Sequence, residues 1–200
     1  PGWKESTRRT EKWADVVPGA EDELGWTQYG HIMCYLSDDG GATWRRSRTV
    51  LTGGRPEGER IMLQEPGVVE RKDRSLVMWF RTEEGRQWKS TSEDGGETWS
   101  AIEPTSIVSP RSPAAIERIP STGDLLLVWN HNPKRQHPLN TAISRDDGRT
   151  WEHERVLEPD PSNRYAYPGA LFPGDGHVLI HFRAGRHLWI DRVPVDWLYD

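Results

Sequence analysis

One cysteine, three methionines and three phenylalanines stand in 200 residues. A single thiol, Cys34, excludes an internal disulfide framework. No apolar run approaches the ~18 residues of a membrane span. No signal peptide is visible, and the chain starts at Pro1 rather than Met. The net charge of −5 argues against a general nucleic-acid binder but allows a local basic pocket. There is no HExxH, no Cys-His cluster and no Walker, GxSxG or dinucleotide fingerprint, so neither a metal nor a cofactor is expected. His131 and His137 belong to no ligand pattern. His177 and His181 bracket one apolar run and read as strand residues.

What is present is turn chemistry and tryptophan. Nineteen glycines, 15 prolines and 11 tryptophans suit many short strands joined by tight turns. An octamer, Ser-x-Asp-x-Gly-x-Thr-Trp, occurs three times. It starts at Ser37, Ser92 and Ser144, with intervals of 55 and 52 residues. A period near 50 is the mark of a propeller or solenoid. The Asp-x-Gly core supplies a turn, because Asp bonds nearby backbone and Gly accepts φ > 0. Thr and Trp are expected to open a strand, the Trp pinning the turn onto the blade beneath. Asp39, Asp94 and Asp146 are therefore expected to be structural rather than catalytic.

Between the octamers the chain reads as blades. Residues 1–25 are polar and form a loop or leftover segment; residues 26–200 form a single domain. WTQYGHIMCYL and WRRSRTVL flank the first octamer, and a Gly-rich linker, TGGRPEGER, follows. The next repeat is the fullest: VVER, LVMWFR and QWKSTS are strands, and WSAIEP from Trp99 is the fourth. The third has SPAAIERI, LLLVWN, LNTAIS and WEHERVL; the fourth has YPGALF, HVLIHF and HLWIDRV. VDWLYD closes the chain as a tail or an added strand. The Arg8-Arg9 and Arg45-Arg46 pairs read as solvated. The fold class is all-β, a propeller with three and a half to four blades in this chain.

The octamers resemble the Asp-box (BNR) repeat of the sialidase superfamily. A second stretch, LQEPGVVERKDRSLVMWFR, is similar to the exo-sialidase pattern in which a Glu opens a blade and an Arg closes the next strand. The resemblance implies that Glu65 polarises the nucleophile. It implies that Arg81 and Arg135, the latter beside Lys134 in NPKRQHPLNTAIS, hold the substrate carboxylate. It implies that Tyr167, with Tyr165 as a near competitor, is the nucleophile. These residue types suit sialic acid. Arginine forks bind its carboxylate. A neutral Tyr attacks where a carboxylate would be repelled, and a Glu activates it.

The resemblance also implies a first triad Arg and an Asp general acid further upstream. Residues 1–25 hold Arg8, Arg9, Asp15 and Asp22, but no matching strand surrounds them. A six-bladed propeller takes roughly 300 residues at ~50 per repeat, so the chain reads as the C-terminal part of one. An open half-propeller would expose a strand edge and an apolar face, which predicts self-association. The implied activity is an exo-α-sialidase acting on an acidic glycan, in a secreted or periplasmic setting. The alternatives are a non-catalytic glycan-binding propeller and a uronate-directed lyase on the same fold.

Overall fold

The computed structural model describes residues 30–53 and 60–200. The N-terminal segment 1–25, the run from Trp26 to Tyr29 and most of the Gly-rich linker lie outside the described residues. The rest is all-β. The first repeat has two short ladders: β1 (His31–Ile32) pairs with β4 (Leu51–Thr52), and β2 (Tyr35–Leu36) pairs with β3 (Arg45–Arg46). The second is an antiparallel meander of β5 (Gln64–Glu70), β6 (Leu76–Arg81), β7 (Arg86–Ser92) and β8 (Glu103–Val108). The third repeats it with β9 (Ala115–Arg118), β10 (Leu125–Trp129), β11 (Leu139–Ser144) and β12 (Glu152–Glu158). The fourth has β13 (Tyr165–Leu171), β14 (His177–Ala184) and β15 (His187–Pro194). The leading strands β5, β9 and β13 adjoin one another, so the sheets fan out from a shared axis.

Blade packing explains the sequence patterns. Strand β10 is buried at all five residues because it has a sheet on each face. Leu125, Leu127 and Trp129 pack with Trp79 and Ile107 of the second blade. Leu126 and Val128 pack with Val178, Ile180 and Phe182 of the fourth. A strand covered on both faces reads as a continuous apolar run. Strand β14 alternates instead, with Val178, Ile180, Phe182 and Ala184 buried. On β15, Leu188, Trp189 and Ile190 are all more than half exposed.

Three sequence expectations need correction. The tryptophans do not open strands. Each octamer's strand starts after its Trp, directly in the first and third and at Glu103 in the second. In two of them the indole folds back on its own turn: Trp99 Nε1 donates to the Gly96 carbonyl at 3.0 Å, and Trp44 Nε1 to Gly41 at 2.9 Å. Trp99 is buried, as expected of a pin, whereas Trp44 is 62% exposed. Also, the closing VDWLYD is neither a tail nor a strand. Asp196–Tyr199 is a 3-10 turn that buries Leu198, and Arg155 covers the Trp197 ring at 4.3 Å. Nor is Arg45 simply solvated, since it pairs with Asp38 and with Glu97 of the second octamer.

The octamer aspartates hold their turns. Asp94 Oδ1 accepts from the Thr98 amide at 2.9 Å and from Ser92 Oγ, and Oδ2 accepts from Thr98 Oγ1 at 2.6 Å. The Thr98 hydroxyl and then its amide hold the Asp94 carboxyl down at about 2. The same bonds form at Asp39 and Asp146. Asp94→Ala is expected to lower the melting temperature by several degrees at pH 7. Because the folded carboxyl titrates below its unfolded value, the ionised form stabilises the fold above about pH 4. The difference from wild type should close as pH falls from about 4 toward 2, which thermal melts across that range check.

The third octamer also fastens blades together. Asp147, buried and left-handed at φ 59°, accepts from Arg118 Nη2 at 2.9 Å and from the Lys72 amide at 3.0 Å. Arg118 in turn donates to the Glu70 carbonyl. Removing one partner strands the other, so Asp147→Ala should cost about 1–3 kcal/mol in denaturant unfolding. Asp147→Asn should lose less, because Asn tolerates the left-handed backbone.

Candidate functional site

Glu65 and Tyr167 occupy matching places in two blades. Each precedes a Pro-Gly pair: Glu65-Pro66-Gly67 and Tyr167-Pro168-Gly169. Each sits in a bulge of its leading strand, between Gln64 and Gly67 in β5 and between Ala166 and Gly169 in β13. Each has a left-handed backbone, φ 49° and 54°. A non-glycine residue there is strained, and such strain gathers at functional sites. The glycines are required by contact. A Cβ on Gly67 would stand 2.4 Å from the Trp79 indole, and one on Gly169 would stand 2.2 Å from His181.

The facing strand carries an arginine at or next to its end in both blades: Arg81, the last residue of β6, opposite Gln64, and Arg183, the last but one of β14, opposite Ala166. Arg81 Nη1 donates to both Glu65 oxygens at 2.9 and 2.8 Å. Its Nε is buried and has no partner. Nη1 is thus taken by Glu65, and the 15% of the side chain left exposed is where a carboxylate would meet the guanidinium. Arg183 stands over the Tyr167 ring, 5.2 Å from its centroid.

Arg135 lies in the loop between β10 and β11, not at a strand end. Its amide and that of Lys134 both donate to Asn132 Oδ1, and both side chains are exposed. The same loop brings Pro133 against Gly85 in the β6–β7 turn, and its Gln136 carbonyl accepts from the Tyr165 amide at 2.8 Å. The segments carrying Arg81, Arg135 and Tyr167 therefore adjoin at one end of the blades.

Of the four sequence-predicted side chains, the structure joins Glu65 and Arg81 directly. No hydrogen bond among the described residues joins Tyr167 to Glu65; Glu65 is engaged by Arg81 instead. Tyr165 is separated from its competitor by burial. It is 1% exposed, packs edge-on against Phe182 and points its hydroxyl at Glu158, 3.3 Å away, whereas Tyr167 is 47% exposed. Arg183 is the residue that sequence reasoning missed. The signal was available: Glu-Pro-Gly and Tyr-Pro-Gly each begin sixteen residues before an arginine.

Behind Tyr165, Glu158 of the third blade faces Asp191 of the fourth. Burial first, then the Asp191 charge, pushes the Glu158 carboxyl up; burial likewise raises Asp191. A raised folded carboxyl favours the proton, so this stabilisation is full below the unfolded value near pH 4 and fades as pH rises through the folded one. Glu158→Gln is expected to raise the melting temperature by a few degrees at pH 7. The gain should vanish near pH 4, as melts at both pH values would show.

The sequence matches the family described as a BNR repeat-like domain over residues 16–180. No curated protein sequence matches closely enough to count. Among solved structures, the chain is similar to the NanB sialidase from Streptococcus pneumoniae. The TM-score is 0.63 at 20% identity, over 84% of this chain and 28% of that one. It is similar to the intramolecular trans-sialidase from Ruminococcus gnavus, seen with oseltamivir carboxylate, with a TM-score of 0.61 at 21% identity over 82% and 38%. A Hadza microbial sialidase gives a TM-score of 0.68 at 18% identity over 84% and 33%. These likenesses establish the fold, and the chain spans well under half the length of each of these proteins.

Proposed function

The chain belongs to the BNR repeat-like domain family, and on that premise we propose that its site engages a terminal acidic sugar, a sialic acid or close relative, which the whole propeller cleaves with retention. The observation that carries this reading is Arg81. Its Nη1 is fixed by Glu65, and 15% of the side chain stays exposed. A substrate carboxylate would meet that exposed part of the guanidinium, with Arg135 as a second cation from the neighbouring loop. Tyr167 is the nucleophile in this reading: accessible, strained into place and neutral, so the substrate's carboxylate does not repel it. Glu65 sits with Arg81 and takes the Tyr167 proton as the sugar binds.

One observation favours a second reading, glycan binding without turnover. Glu65 is already engaged by Arg81 and is not hydrogen-bonded to Tyr167. Release of a fluorescent leaving group from a sialoside supports hydrolysis. Calorimetric binding of sialic acid without release supports the binding module. Absence of both removes the acidic-sugar site.

A further inference from the structure

We propose that Arg183 is the positioning residue for Tyr167, and that an X-Pro-Gly bulge facing an arginine sixteen residues on in the paired strand is a mount this chain uses twice. The inference rests on the reading of Tyr167 as a site residue. In the second blade the mounted residue is Glu65, and the arginine grips it by an ion pair. In the fourth it is Tyr167, and the arginine grips it through the ring face, 5.2 Å from the centroid. Both mounted residues are left-handed, both lie in bulges, and both glycines are closed off by a ring two residues before the arginine.

The third blade is the internal control. There Ser112-Pro113-Ala114 takes the place of X-Pro-Gly, and His131, two residues after Trp129, stands where the arginine would. None of Ser112, Pro113 or Ala114 has a positive φ, and the β9–β10 ladder begins only at Ala115, beyond them, so no bulge forms there. Bulge, left-handed residue and arginine are present together or absent together.

The chemistry differs between the two mounts because the cargo does. A carboxylate accepts hydrogen bonds from a guanidinium. A phenol offers that cation its electron-rich face, and the contact fixes the ring plane while leaving the hydroxyl free. Arg183 thus holds Tyr167 by the ring and keeps its oxygen available to a ligand.

The test labels the protein with tyrosine carrying carbon-13 at Cζ. The chain has five tyrosines, and the Tyr167 signal is the one lost in Tyr167→Phe. Without ligand, Arg183→Leu should move the Tyr167 signal and leave the others in place. Arg183→Lys, which keeps a cation, should give an intermediate position. An unmoved Tyr167 signal overturns the proposal, and so does a joint shift of all the tyrosine signals, which marks a general structural change. With a fluorescent sialoside, Arg183→Leu should lower kcat roughly three- to thirtyfold while KM stays within about twofold. If no variant and no wild type turns the sialoside over, hydrolysis fails, yet the ligand-free signal still decides whether Arg183 positions Tyr167.

Discussion

Tyr167→Phe should reduce release from a fluorescent sialoside on the order of a thousandfold or more, the scale seen when a covalent nucleophile is removed. It should leave the melting temperature and the affinity for sialic acid unchanged. The substitution deletes only a hydroxyl. The ring that Arg183 covers remains, and the residue is 47% exposed, so no buried donor is stranded. Tyr165→Phe is the matched control. Its hydroxyl is inside the protein and faces Glu158 at 3.3 Å, so its loss should register in stability and spare turnover. A Tyr167→Phe protein that keeps the wild-type rate would show that the attacking atom lies elsewhere. The two tyrosines are two residues apart in sequence, so opposite outcomes would tie function to the bulge that turns Tyr167 outward.

The fold was legible because its signals repeat. Three octamers at a near-constant interval specify the hairpin clips, and the all-apolar LLLVW specifies a strand covered on both faces. The clips were misread at their tryptophans, which precede the strands rather than opening them: the indoles of Trp44 and Trp99 bond the glycine carbonyls of their own turns. The site was less legible for a related reason. Strand patterning marks Arg81 and Tyr167 as strand residues but carries no information on which partner each meets. Glu65 and Arg81 are sixteen residues apart and touch because two strands pair antiparallel around a bulge. Arg183 meets Tyr167 by the same construction, but its sequence neighbours, Phe182 and Ala184, look like the end of an ordinary core strand. Only comparison of one blade with another makes it stand out. The Asp147–Arg118 fastening was invisible for another reason: it joins an octamer turn to the end of strand β9, and nothing in either stretch names the other as its partner.

Arg81→Ala should weaken acidic-sugar binding by about 2–4 kcal/mol, a thirty- to thousandfold rise in Kd by calorimetry. Two losses add. The fork that would meet the carboxylate is gone, and Glu65, now without its cation, presents a bare negative charge to an anionic ligand. The second loss makes the effect separable. Arg81→Ala combined with Glu65→Gln removes the repulsion and should recover part of the affinity, whereas Glu65→Gln alone should change binding little while impairing any turnover that needs a base. Arg81→Lys keeps the charge but not the planar fork, so it should fall between wild type and Ala. Salt distinguishes the site from a diffuse surface field. A buried Nε and a side chain only 15% exposed should lose little affinity between low and physiological ionic strength, because partly buried pairs are weakly screened. Affinity that is untouched by Arg81→Ala, or that collapses with modest salt in the wild type, would move the acidic-sugar contact away from the β5–β6 bulge and out to exposed arginines such as Arg135.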